Sequence, residues 1–159
     1  VKFLTYDNKL FIAWESDFII RVYDDKGKSL YVIKLDYERS KIDSQFKEKT
    51  IQYLKTGKRY KRLFELLDIE VHFPAKFPAI ENILIDKGKI YVTTFKIMDE
   101  KTEGYILDIK GKLLRKLFLP IKRSEETEGF LPYPYTIYRG KLYQLINKDD
   151  QWSLEISKF

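Results

Sequence analysis

The chain opens on short runs in which apolar and polar residues alternate, and this period of two predicts antiparallel strands. Lys2-Phe3-Leu4-Thr5-Tyr6 reads as a strand and Leu10 to Trp14 as a second. Asp7-Asn8-Lys9 between them is a tight turn, because Asp and Asn tolerate positive φ. Glu15-Ser16-Asp17 leads to a third strand, Phe18 to Tyr23, and Asp24-Asp25-Lys26-Gly27-Lys28 to a fourth, Ser29 to Tyr37. The period then changes. Phe46, Thr50, Ile51 and Leu54 fall at helical spacing behind a capping Asp43 or Ser44, with a stop at Thr56-Gly57. A second short helix is expected from about Arg59 to Leu67, with Tyr60, Leu63, Phe64 and Leu67 on one face. Pro74 and Pro78 make the segment from Val71 an extended connector, since proline cannot donate to a strand ladder.

The strand pattern returns after the connector. Ala79 to Asp86, Ile90 to Ile97, Gly104 to Ile109 and Leu113 to Pro120 read as strands, with Met98 to Glu103 as a polar loop. A polar, acidic loop from Lys122 to Gly129 precedes strands at Tyr135 to Tyr138, Leu142 to Ile146 and Trp152 to Ser157. The turns repeat: Asp7-Asn8-Lys9-Leu10-Phe11-Ile12, Lys87-Gly88-Lys89-Ile90-Tyr91-Val92 and Arg139-Gly140-Lys141-Leu142-Tyr143-Gln144. Tyr23-Asp24-Asp25-Lys26-Gly27-Lys28 similarly matches Leu107-Asp108-Ile109-Lys110-Gly111-Lys112. Two landmarks therefore recur in the same order. The expected fold is all-β with a small helical insertion: a blade over 1–42, an insertion over 43–70, a second blade over 71–121 and an incomplete, three-stranded blade over 130–159. Four-stranded antiparallel units repeating at about 40–50 residues are the signature of a β-propeller. An ordinary meander or sandwich with common Gly-Lys turns is the alternative.

The stretch Phe73-Pro74-Ala75-Lys76-Phe77-Pro78-Ala79-Ile80, followed by Ile85-Asp86-Lys87-Gly88-Lys89-Ile90-Tyr91-Val92, resembles the six-bladed β-propeller family of bacterial TolB- and NHL-type proteins. Leu107-Asp108-Ile109-Lys110-Gly111-Lys112-Leu113-Leu114 is similar to that family's second turn. The blade turn is one residue shorter here, at Asp86-Lys87-Gly88, which affects turn type more than assignment. The resemblance covers the chain from about Asp43 onward. It implies a partial six-bladed propeller, the C-terminal half of a longer ring, in a bacterial periplasm or cell envelope. A second copy completing the ring as a homodimer is the other way to close it.

Composition refines this picture. Aromatics make up 16% of the 159 residues, a load suited to pleated, half-buried surfaces. The net charge of +6 comes from 30 bases interleaved with 24 acids, so it reads as a solvated surface rather than a nucleic-acid footprint. The densest basic run, Lys55 to Arg62, sits on the helical insertion and reads the same way. There is no cysteine, and no apolar run reaches the ~18–20 residues of a membrane span. The chain starts at Val1 directly on a strand, as expected of a fragment or processed product.

Chemical motifs are sparse. His72 is the only histidine, and without a nucleophile elbow or phosphate-binding glycine loop it reads as structural or solvated. No catalytic residue, metal ligand or cofactor is assigned. Glu81 and Asn82 at the start of an inner strand, with Tyr133 and Tyr135 in Leu131-Pro132-Tyr133-Pro134-Tyr135, are the candidate ligand-binding residues. The expected function is non-catalytic binding of a protein or small ligand at the propeller channel face. The alternative, implied by the same resemblance, is half of a metal-dependent propeller hydrolase or lactonase. It would need several oxygen ligands from several blades.

Overall fold

The computed structural model describes residues 1–57, 60–67, 69–124, 127 and 131–159, with backbone alone for 63–65. It is a β-rich repeat of three antiparallel sheets with four, four and three strands. The first sheet is β1 (Lys2–Tyr6), β2 (Lys9–Trp14), β3 (Ile19–Tyr23) and β4 (Ser29–Lys34). Helices α1 (Ser44–Thr56) and α2 (Lys61–Leu66) follow. The second sheet is β5 (Asn82–Asp86), β6 (Lys89–Met98), β7 (Lys101–Asp108) and β8 (Leu113–Leu119), and the third is β9 (Tyr135–Tyr138), β10 (Lys141–Lys148) and β11 (Gln151–Lys158). Each sheet is a simple meander in chain order.

The repeat seen in the turns is also a repeat in geometry. Asp7-Asn8, Lys87-Gly88 and Arg139-Gly140 all hold positive φ at both central positions, the hairpin geometry whose twist matches that of the strands. In the longer turns, Asp24 Oδ1 accepts from the amides of Lys26 and Lys28 at 3.0 and 2.8 Å. Asp108 Oδ1 does the same for Lys110 and Lys112, at 2.9 Å each. The strand register shifts beside both turns, at Val22/Tyr23 and at Ile106/Leu107.

The sheets stack face on face, and their backbones approach most closely along the first strands, with β5 lying between β1 and β9. Alternation along β6 sends Ile90 and Val92 into the core shared with the first sheet, among Phe11, Ala13, Ile20 and Val22. Tyr91 points the other way, into the core holding Leu119, Ile137 and Leu142. Further out, Phe18, Tyr37 and Tyr105 fill the first gap with rings 5.3–6.1 Å apart. Neighbouring sheets are also joined turn to turn. Tyr31 Oη donates to the Ile109 carbonyl at 2.8 Å, and Asp86 Oδ2 accepts from the Gly140 amide at 3.1 Å. The helical insertion is anchored by a ring ladder, Phe46 on Phe77 at 4.7 Å and Phe77 on Phe95 at 5.2 Å.

Several expectations are corrected. Met98 to Glu103 is not a loop: β6 and β7 run on to a two-residue turn at Asp99-Glu100, whose φ values are 49° and 60°. The cross-strand pairing of Ile97 with Thr102 and Met98 with Lys101 extends the ladder beyond a shift between Thr93 and Ile97. The strand expected from Ala79 begins only at Asn82, because the Ala79 and Ile80 amides bond to the Glu15 carbonyl of the first sheet. β4 ends at Lys34 rather than Tyr37. Helix α1 carries the expected cap, Asp43 Oδ1 accepting from the Phe46 amide at 2.7 Å. It also stops where expected, with an extended Gly57 as the C-cap; a Cβ there would meet the Tyr53 carbonyl at 2.6 Å. The expected start of the second helix, Arg59, lies outside the described residues, as do Lys58 of the basic run and Phe130 at the start of the last unit. Leu66 and Leu67 are exposed.

The connections are unequal at the two ends of the stack. At the far end, where β1, β5 and β9 finish, every link is one of the short repeated turns. The helical insertion, the Asp99-Glu100 hairpin tip and both described ends of the connector between β8 and β9 lie at the near end, where these strands begin.

The two long turns provide a test of sheet-to-sheet packing. Gly27 (φ 78°) faces open space, whereas a Cβ on Gly111 (φ 94°) would lie 2.6 Å from Ile33 Cγ1 of the first sheet. Gly27→Ala should therefore cost about 1–2 kcal/mol in left-handed strain. Gly111→Ala should cost a further ~1–3 kcal/mol in overpacking. Urea unfolding of both variants checks this, and equal losses would contradict the packing account.

Candidate functional site

Where the first strands begin, polar groups converge from the second and third sheets. Pro78 and the amides tied to Glu15 stop pairing before β5, which turns Glu81 inward at the seam between sheets. Its side chain is only 7% exposed. Arg123, on the connector after β8, places Nη2 2.9 Å from Glu81 Oε1 and 3.4 Å from Thr102 Oγ1. Glu81 Oε2 is shielded and has no hydrogen bond of good geometry, although the Thr93 hydroxyl is close enough to favour the charge. Burial pushes the Glu81 carboxyl above the ordinary carboxylate range, and Arg123 opposes that shift. Lys2, at the start of β1, acts on the same carboxylate.

Tyr135, at the start of β9, completes the cluster. Its hydroxyl lies 2.9 Å from Thr93 Oγ1 across the seam, and either oxygen can donate. Burial pushes the phenol up to about 12, partly countered by the Thr93 and Asn82 side chains. The structure therefore brings three of the candidate residues together: Glu81, Asn82 and Tyr135. Tyr133 belongs elsewhere. Its hydroxyl donates to the Asn147 carbonyl at 2.7 Å, and its own carbonyl accepts from Gln144 Nε2 at 3.2 Å, so it braces the third sheet.

Arg123 and Thr93 were not anticipated, and neither has a sequence signal. Arg123 sits in a stretch that reads as a solvated acidic loop, and Thr93 reads as an ordinary strand residue. A second buried charge was also missed. Glu103 on β7 is 1% exposed and faces the first sheet, held by Lys116 Nζ at 2.8 Å and Thr94 Oγ1 at 2.9 Å. The hydrogen bond to Glu103 raises the Lys116 ammonium to about 12.

Next to the cluster is an open cleft of about 620 Å³ at the near end of the first sheet. Phe18, Tyr37 and Ala79 line it together with the charged Asp17, Asp36 and Arg39. Ala79 lies two residues before Glu81, so cleft and cluster share one rim. Among the described residues, no group of three or more His, Cys, Asp or Glu side chains stands close enough to hold a metal ion. The Arg123 guanidinium fills the cation position beside Glu81. His72 is exposed, with Nε2 3.6 Å from Glu70. No helix among the described residues is long and apolar enough to cross a membrane.

No family model, curated protein or solved structure matches this chain.

Two outcomes follow from the cluster. Arg123→Ala leaves the Glu81 charge buried and should cost about 3–5 kcal/mol. Replacing both partners with apolar residues, as in Glu81→Leu with Arg123→Met, should recover most of that loss. Denaturant unfolding decides the point, since a single-variant cost under about 1 kcal/mol is the value of an exposed pair. The second concerns Tyr135, which is protonated in both folded and unfolded chains below the ordinary tyrosine value of about 10. Between that pH and about 12 only the unfolded chain ionises there, so the native state loses stability as pH rises through this window. Tyr135→Phe should lack that component, and unfolding midpoints across the window would measure it.

Proposed function

We propose that the three stacked sheets are blades of a β-propeller, and that the chain is a non-catalytic module binding a protein or small ligand at the near end of the stack. The observation that carries this reading is the inequality of the two ends. The far end has only short repeated turns, whereas the near end gathers the long connections and the buried polar cluster; open clefts of about 620 and 630 Å³ lie at the near and far ends, so the connections and the cluster, not the cleft, distinguish them. Binding residues concentrate on connections held by a rigid scaffold. First strands lying side by side while outer strands spread apart support a radial, blade-like arrangement. Likeness to the six-bladed TolB- and NHL-type propellers belongs to the same proposal.

The cleft sets the chemistry of the proposed ligand. Phe18 and Tyr37 offer an aromatic floor, and Asp17, Asp36 and Arg39 offer both charge signs on its rim. A ligand with an apolar body and charged or hydrogen-bonding ends, such as a peptide segment, suits that lining.

An ¹⁵N-labelled chain titrated with peptide and metabolite mixtures should show shifts at Asp17, Asp36, Arg39 and Asn82. Arg39→Ala should weaken the best hit by about tenfold, which is about 1.4 kcal/mol. Hits that move only resonances at the far end, or no hit at all, would count against the reading.

A further inference from the structure

The internal repeat assigns each sheet two different faces. Leu10, Ile90 and Leu142 are equivalent in the repeat, as are Phe11, Tyr91 and Tyr143. In the second and third sheets, the Ile90/Leu142 face packs on the preceding sheet. In the first and second sheets, the Phe11/Tyr91 face packs on the following one. Two faces are therefore left open: the Leu10 face of the first sheet and the Tyr143 face of the third.

Both open faces are apolar. On the first sheet Phe3 is 74% exposed, with Trp14 and Val32 also in solvent. Phe3 pairs with Ile12, Ile12 with Arg21, and Arg21 with Val32, so the apolar row crosses the sheet and is interrupted on β3 by the exposed Arg21. On the third sheet Trp152, Leu154 and Ile156 are 61%, 58% and 55% exposed. Leu154 lies opposite Leu145, and Ile156 opposite Tyr143. β11 puts these apolar side chains on the open side, while Glu155 on its other side meets Lys122 at 2.7 Å. That is the reverse of a strand whose bare side faces water.

We propose that a second copy of this chain covers both open faces, the first sheet of each copy packing on the third sheet of the other, so that two chains close a ring of six sheets. This rests on reading the sheets as blades. The two faces are equivalents of faces that already pack on each other inside the chain, so they are complementary by repetition. Propellers close with about four to eight blades, and six is the only multiple of three in that range. Area points the same way. The smaller, three-stranded face about 20 Å long presents roughly 300 Å², so one contact between copies removes roughly 600 Å². Two contacts remove roughly 1,200 Å², the lower end of the range for a stable specific interface, whereas one is the size of an incidental contact.

Sedimentation and light scattering of the chain, in enough salt to screen its +6 charge, should give twice the 19.1 kDa chain mass. Trp152→Glu combined with Leu154→Glu should give a monomer with an unchanged circular dichroism spectrum. The chain has no cysteine, so orientation is open to cross-linking. Phe3→Cys and Leu154→Cys chains, two strands apart across sheets about 10 Å from one another, should be joined when mixed by a bis-maleimide spanning about 15 Å, and neither should cross-link to itself. A monomer at every concentration, a dimer indifferent to both glutamates, or a Leu154→Cys chain that cross-links to itself would each overturn the proposal. A monomer that still shows the near-end shifts would sink only the pairing. A ring without them would sink only the binding reading.

Discussion

The second sheet is apolar on both faces, and neither face is stable in water. Ile90, Val92 and Leu107 are fully buried against the first sheet, and Leu119 and Ile121 are 1% exposed on the other side. Burying a side chain of this size stabilises by about 1.5–3 kcal/mol. Uncovering either face would thus expose a free energy comparable with the 5–15 kcal/mol that holds a typical domain together. The stack is therefore one cooperative body around its middle sheet, and the helices hang on it through the Phe46–Phe77–Phe95 ladder.

Two acids interrupt the seams between sheets, and the structure resolves each differently. Glu103 points outward along the first seam, where the spreading sheets admit the half-exposed Lys116. Glu81 sits where the second seam is tightest, so its partner must be buried too, and Arg123 reaches it with only 11% of its own side chain exposed. A guanidinium suits that position because it is weakly hydrated and presents several donors in one plane. The Thr93–Tyr135 contact adjoins this pair, so sheet-to-sheet position there is set by directional bonds as well as by packing.

Strand number, order and turn chemistry were legible in the sequence because each depends on neighbours within a few residues. Asp24 and Asp108 announce turns that their own carboxylates close. Connections set by distant partners were not legible. Ala79 looks like a strand residue, and only the Glu15 carbonyl of another sheet takes it out of the ladder. Asp99-Glu100 has neither the Gly nor the Asn that marked tight turns elsewhere, so the polar run around it concealed a continuous ladder. In the cluster, Glu81, Asn82 and Tyr135 were found by their position at strand starts. Arg123 was not, because nothing local to it indicates a partner 42 residues away.

The two ends of the stack have been under different physical constraints. At the far end two of the turns are constrained by a neighbouring sheet: a side chain at Gly111 would collide with Ile33, and the Gly140 amide is bonded to Asp86. The turns that meet a neighbouring sheet are therefore packing elements, whereas Gly27 of the first sheet faces open space. At the near end the loops run past the last ladder bonds, so length and composition vary without disturbing the cores. The chain has used that freedom unevenly. It inserts two helices before β5, extends β6 and β7 beyond their counterparts, and threads Arg123 back into the seam after β8. These departures from the repeat surround Glu81 and the neighbouring cleft. Specificity in a repeat protein has to come from what the repeats do not share, and here those parts lie on one rim.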